Sequence, residues 1–210
     1  MEQFQSGDHK IILEVIKDLQ LLTKITKDNL MINGLNNAIK KLNVFIDNGE
    51  NVDIKSQELE FEEGKYIGQV SNGLADGRGI SLFKNGDRFK GFCKKGKAEG
   101  RGCKYWSNGD RYEGEYKNDK KDGKGIYFYR NGDRYEGLWK SGNRSHTGSY
   151  LYKNGDRYDG DWKNDKKDGK GIYYYHNGDR RMGNYFNDKP IGRHIILRSN
   201  GDVESTFYKI

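Results

Sequence analysis

Tyr112 to Arg134 reads YEGEYKNDKKDGKGIYFYRNGDR, and Tyr158 to Arg180 reads YDGDWKNDKKDGKGIYYYHNGDR. The two are near-identical copies, with a more divergent copy between them. Asn-Gly-Asp sets the register, starting at Asn85, Asn108, Asn131, Asn154, Asn177 and Asn200, each 23 residues after the last. A fixed period in the twenties marks a repeat array, in which no single unit buries a face alone. The array begins at Tyr66, and Met1 to Lys65 follows a different pattern.

Each copy holds two aromatic-rich runs of strand composition, Tyr112 to Lys117 and Lys124 to Tyr129 in the third. Asn131-Gly132 between Tyr129 and Tyr135 points to a two-residue type I′ hairpin turn. Asn118 to Asp122 then reads as the longer turn. This register pairs Arg130 with Asp133, Phe128 with Tyr135 and Ile126 with Gly137. It places Tyr112, Gly114, Tyr116, Ile126 and Phe128 on the core face, as it does Tyr66, Gly68, Val70, Ile80 and Leu82, or Tyr158, Gly160, Trp162, Ile172 and Tyr174. The opposite face collects Glu113, Glu115, Gly125, Tyr127 and Tyr129. Glycines inside strands leave room for rings to lie on the backbone. The expected fold is mainly β: an elongated single-layer antiparallel sheet of six hairpins over 66–210. At roughly 4.8 Å per strand it extends about 58 Å, twisted into a strip with a long groove.

Residues 1–49 read as two amphipathic helices, about 9–26 and 29–46. Ile12, Val15, Leu19 and Leu22 form one apolar stripe, and Ile32, Leu35, Ile39 and Leu42 the other, at helical spacing. The stripes either fold back on the sheet or form a helical interface for oligomerisation or a partner helix. Residues 50–65 read as linker and capping strand, with Leu59 and Phe61 alternating with Glu58, Glu60 and Glu62.

Hydrophobic residues make up 33% and mean hydropathy is −1.06, so a thick core is not expected. An aromatic share of 13% carries the burial instead, and 29 glycines with one proline suit a hairpin array. Residues 1–65 hold 8 lysines against 12 acids, a net of −4, which leaves +11 for the array. A basic array suggests an anionic partner. Cys93 and Cys103 replace hydrophobic residues of other copies and read as buried thiols. Neither a secretory signal nor a membrane-length apolar run is visible, so a cytoplasmic protein is expected.

The pattern Tyr-Glu-Gly-Glu-Trp/Tyr-Lys-Asn-x-Lys-x-x-Gly-x-Gly-x-Tyr-x-Tyr-x-Asn-Gly-Asp resembles the MORN repeat (membrane occupation and recognition nexus), in six copies over about 66–203. Copies three and five fit best. Copy one departs at Val70 to Ala75 and copy two at Phe92-Cys93. Copy four has His146 at a glycine position and Ser149 in place of Ile. Copy six begins Arg181-Met182 and carries His194 for glycine. The resemblance implies a non-enzymatic scaffold in a cytoskeletal, ciliary or membrane-junction assembly, and some relatives are linked to acidic phospholipids. MORN repeats also occur fused to lipid kinases and lysine methyltransferases. The flanks of 65 and seven residues are expected to hold no such domain.

No catalytic constellation stands out, and no cofactor or metal is expected. His9, His146, His176 and His194 lack metal-ligand spacing, and Gly-Lys-Gly at 123–125 and 169–171 lacks a P-loop continuation. The Asp-Arg pair after each Asn-Gly reads as a turn salt bridge. Nucleic-acid binding is disfavoured, because the sheet core already accounts for the aromatics. Protein partners are expected to meet the aromatic surface at Tyr127, Tyr129, Tyr150, Tyr152, Tyr173 and Tyr175. An anionic membrane would meet the turn lysines Lys94, Lys95, Lys120, Lys121, Lys166 and Lys167.

Overall fold

The computed structural model describes residues 18–20 and 57–209. Fourteen strands, from β1 (Gln57–Phe61) to β14 (Val203–Tyr208), form one antiparallel sheet in strict chain order. Residues 18–20 are helical. Of the candidate helical residues, only Leu19 lies among the described residues; Ile12, Val15, Leu22, Ile32, Leu35, Ile39 and Leu42 lie outside them, as do the two helix spans otherwise.

The third copy shows how the sequence builds a hairpin. β6 (Arg111–Lys117) and β7 (Lys120–Phe128) are joined by Asn118 and Asp119 alone, with φ of +48° and +67°. That is a two-residue I′ turn, whose twist matches the strands it joins. The corresponding pairs Asn164-Asp165 and Asn187-Asp188 repeat it. Asn131-Gly132 lies instead in the wider loop between β7 and β8 (Arg134–Lys140). There the Gly132 N–H donates to the Tyr129 carbonyl at 2.9 Å, and the Tyr129 N–H to the Asp133 carbonyl at 3.0 Å. A type I turn closed by Gly132 at φ +95° results. The tight and wide turns are thus exchanged relative to the expectation.

The exchange moves the register by one residue. Tyr127 faces Tyr135, Gly125 faces Gly137, and Phe128 faces Arg134. A one-residue slip turns a strand's side chains to the other face. Tyr112, Gly114 and Tyr116 stay on the core face, but Gly125, Tyr127 and Tyr129 join them. Ile126 and Phe128 go to the back, as do Ile80, Leu82, Ile172 and Tyr174 in other copies. A bulge between Gly114 and Tyr116 sets Glu115 against Asp122, Gly123 and Lys124, bending the strip.

Tyr112, Tyr135 and Tyr158 are fully buried, although among the described residues no second sheet packs on their face. Each ring lies flat across a glycine pair. A Cβ on Gly125 would sit 2.2 Å from the Tyr112 hydroxyl oxygen. That hydroxyl donates to the Glu115 carbonyl at 3.1 Å. The ring of Tyr116 or Trp139 stands edge-on to it, with centroids 5.2 and 5.3 Å away. Aromatic rings therefore serve as the layer a second sheet would otherwise supply.

Copy six reaches the same packing from the opposite strand. Where Tyr112 and Gly125 stand in copy three, it has Arg181 and His194. His194, fully buried, lies over Gly183, where a Cβ would meet its ring at 2.4 Å. Its Nε2 is 2.8 Å from the Asn184 carbonyl oxygen, the counterpart of the Glu115 carbonyl. The ring comes from the second strand instead of the first, onto Gly183 where Gly114 stands in copy three, and the hole is filled either way.

His146 is the other exception, taking φ +58° where Gly100, Gly123 and Gly169 hold φ of +68°, +109° and +115°. A side chain there carries a conformational cost that glycine lacks. His146→Gly should raise stability by roughly 0.5–1 kcal/mol, after the extra freedom glycine gives the unfolded chain. A thermal midpoint unchanged or lowered would contradict it; about 1–4 °C upward is expected.

Candidate interaction surfaces

The aromatic face is closed by cations. Lys121 Nζ lies 3.8 Å from the Trp139 ring centroid and 4.6 Å from that of Tyr127. Arg144 lies 4.3 Å from the Trp162 centroid and ion-pairs with Asp165 at 3.2 Å. Lys167 Nζ is 4.9 Å from Tyr158 and 5.2 Å from Tyr173. Burial pushes the Lys121 ammonium down to about 8 against the pull of Asp165, and pushes Lys167 down as well. Neighbouring strand residues point to opposite faces, so the lysine pairs split. Lys120 and Lys166 stay exposed with Lys94 and Lys95, whereas Lys121 and Lys167 fold onto the rings. The row of six expected at this edge is therefore a row of four.

The candidate tyrosines are half-buried in the same face. Tyr127, Tyr150 and Tyr173 donate their hydroxyls to Asp110, Asp133 and Asp156, each at 2.8 Å. Tyr129, Tyr152 and Tyr175 pack beside them at centroid distances of 4.5, 4.6 and 4.7 Å. These six rings brace the sheet.

The aspartates of Asn-Gly-Asp work between copies. Asp133 Oδ1 accepts the Lys153 N–H of the next wide loop at 2.8 Å, while its Oδ2 takes the Tyr150 hydroxyl and the Asn131 amide. Asp87, Asp110, Asp156 and Asp179 make the same step to Ser107, Arg130, His176 and Ser199. The following arginines pair elsewhere: Arg134 with Glu136, Arg111 with Glu113 at 3.2 Å, Arg157 with Asp159 at 3.0 Å. The expected Asp-Arg turn bridge is thus replaced by a bond that locks one copy to the next. The tight-turn edge is locked similarly, Asp119 taking the Ala98 N–H at 2.7 Å and Asp122 the Ser141 N–H at 3.0 Å. An aspartate recurring at a fixed offset was the signal for these staples.

The back face holds an open trough of about 1490 Å³, running from Arg78 to Gly160. Cys103, Ile126 and Leu138 give it apolar floor, Phe92 and Tyr105 are exposed in it, and both charge signs line it, among them Lys90, Lys124, Glu113 and Glu136. Sequence reasoning missed it, because the expected register put Ile126 in the core. Cys93 is buried on the aromatic face and Cys103 half-buried on the back, both as free thiols. Among the described residues no group of three or more His, Cys, Asp or Glu is placed to hold a metal. None of their helices is long and apolar enough to cross a membrane.

An open meander of repeated hairpins, stapled to their neighbours and carrying their own aromatic layer, defines a single-sheet repeat protein. A family model described as MORN repeat matches residues 66–88, 90–111, 112–134, 135–157 and 158–180, and the chain belongs to that family. The sixth hairpin lies outside the match, consistent with its Arg181 and His194. No curated protein matches the chain. Among solved structures it is similar to the TCP domain of SAS-4 (dCPAP) of Drosophila melanogaster, in complex with a proline-rich motif of Ana2 (dSTIL). Identity there is 15% over 77% of this chain and 95% of that one, with a TM-score of 0.44. A point mutant of the TCP10 domain of Danio rerio CPAP is similar at 14% identity, over 72% and 99% of the two chains, with a TM-score of 0.24. A catalytically inactive virginiamycin B lyase from Staphylococcus aureus with quinupristin follows at 11% identity, 75% of both chains and a TM-score of 0.17.

Proposed function

We propose that the protein is a non-enzymatic scaffold that binds protein partners in a cytoskeletal, ciliary or membrane-associated assembly. The back-face trough carries this reading. It is long and shallow, with apolar floor and charges of both signs, which suits an extended or helical segment of another protein. The stapled aromatic face keeps it stiff, so little ordering is required on binding.

A second reading has its own observation. Lys94, Lys95, Lys120 and Lys166 are exposed along the tight-turn edge, while the nearby Asp119 and Asp122 are engaged with backbone N–H groups. Such an edge would attract acidic phospholipids at about 1 kcal/mol per lysine. The two readings separate by mutation. Proximity labelling in cells should recover a reproducible, stoichiometric set of proteins. Leu138→Glu with Phe92→Glu should reduce that recovery about ten-fold, and glutamine at the four lysines should leave it intact. If recovery instead follows the lysines, and one phosphoinositide binds stoichiometrically at physiological salt, the scaffold assignment is wrong.

A further inference from the structure

Back-face residues differ in burial along the array. Ile67 and Ile80 in copy one are 1% and 6% exposed and form a cluster of their own with Leu82. Their counterparts Glu113 and Ile126, or Asp159 and Ile172, are only half-buried. None of the fourteen strands lies over that face. At the same end of the trough, Asp18 Oδ2 lies 2.6 Å from Lys90 Nζ, and Asp18 is itself part of the lining. Asp18 and Leu19 are half-buried within the helical residues 18–20.

We infer that the chain's own N-terminal stretch, residues 9–26, is the resident occupant of the copy-one end of the trough. A half-exposed ion pair contributes little by itself, so the apolar stripe must carry the contact. Ile12 to Leu22 would run about 15 Å as a helix, close to the roughly 14 Å across four strands. Charge agrees locally rather than in bulk: residues 9–26 hold three lysines against two acids, but Asp18 meets Lys90, which stands where other copies carry Glu113, Glu136 and Asp159. The trough from copy three onward stays open, and a partner reaching copy one must displace the segment. This goes beyond the scaffold assignment and does not depend on it.

Zero-length carbodiimide coupling of the full chain tests it, using an equal mixture of ¹⁴N- and ¹⁵N-labelled protein. Glu58 and Lys65, 2.7 Å apart on β1 and β2 (Gly64–Ser71), serve as an internal positive control. The expected product joins Asp18 to Lys90 within one isotopic species, disappears in Asp18→Asn, and falls at least five-fold in Leu19→Asp while Glu58–Lys65 coupling is retained. Three results would overturn the inference. They are a control link without the Asp18–Lys90 link, a link of mixed isotopes showing a second copy as the occupant, and a yield indifferent to Leu19→Asp.

Discussion

Gly125→Ala is expected to disrupt the centre of the array. The added methyl would lie 2.2 Å from the Tyr112 hydroxyl oxygen and 2.5 Å from two of its ring carbons. Tyr112 has no free space to retreat into: it is fully buried, edge-on to both Tyr116 and Trp139, and tied to the Glu115 carbonyl. Overpacking of this kind costs about 3 kcal/mol, which lowers the thermal midpoint by roughly 6–12 °C for a chain of this size. Neighbour-only packing confines the damage, so amide exchange should quicken first in β6 to β8. The control is the same change in a Tyr112→Ala background, which itself loses roughly 3–5 kcal/mol. There the methyl enters vacated space and should cost under about 1 kcal/mol. An equal cost in both backgrounds would mean that the ring does not lie on the glycine.

Acid should take the array apart over a narrow range. Burial alone would raise the Asp156 carboxyl, but hydrogen bonds from the His176 N–H, the Tyr173 hydroxyl and the His176 and Asn154 side chains bring it to about 2. Asp87, Asp110 and Asp133 are held below the ordinary range by equivalent bonds against the same burial. Asp179 is held down by the Ser199 N–H and Arg198. A carboxyl with a depressed folded pKa contributes stability that is fully present above its unfolded value of about 3.9 and is lost as pH falls through the folded value. Stability should therefore be level above about pH 5 and fall steeply from about pH 4 towards 2, with several protons taken up in one transition. Asp133→Ala should remove part of that slope and cost about 2–3 kcal/mol at neutral pH, because it strands the Tyr150 hydroxyl and Lys153 N–H. An array unchanged from pH 5 to 2 would refute the staples.

The period, the hairpins and the single-layer fold were legible because Asn-Gly-Asp and the aromatic runs recur without a gap. The register was not, since Asn131-Gly132 carries the strongest local signal for a tight turn. That signal was overridden by Asp133, whose carboxylate must reach the next copy and does so from the wider loop. Asn118-Asp119 then adopts the tight turn, a conformation open to Asn and Asp at positive φ. The misplaced register concealed the trough and assigned Ile126 and Phe128 to the core. Strand alternation could have separated Lys120 from Lys121, had the tight turn been placed correctly. The contact between Asp18 and Lys90 was beyond any local reading, because the two are joined only by the fold.

Small-angle scattering of the full chain tests the open, single-layer sheet most directly. Thirteen inter-strand spacings of roughly 4.8 Å give a length of about 62 Å, whereas a compact chain of this size has a radius of gyration of about 17 Å. The expected pair-distance distribution extends past about 60 Å, with a radius of gyration above about 20 Å. A radius near 17 Å, with no distances beyond about 45 Å, would show the sheet folded on itself and contradict the open strip on which both faces depend.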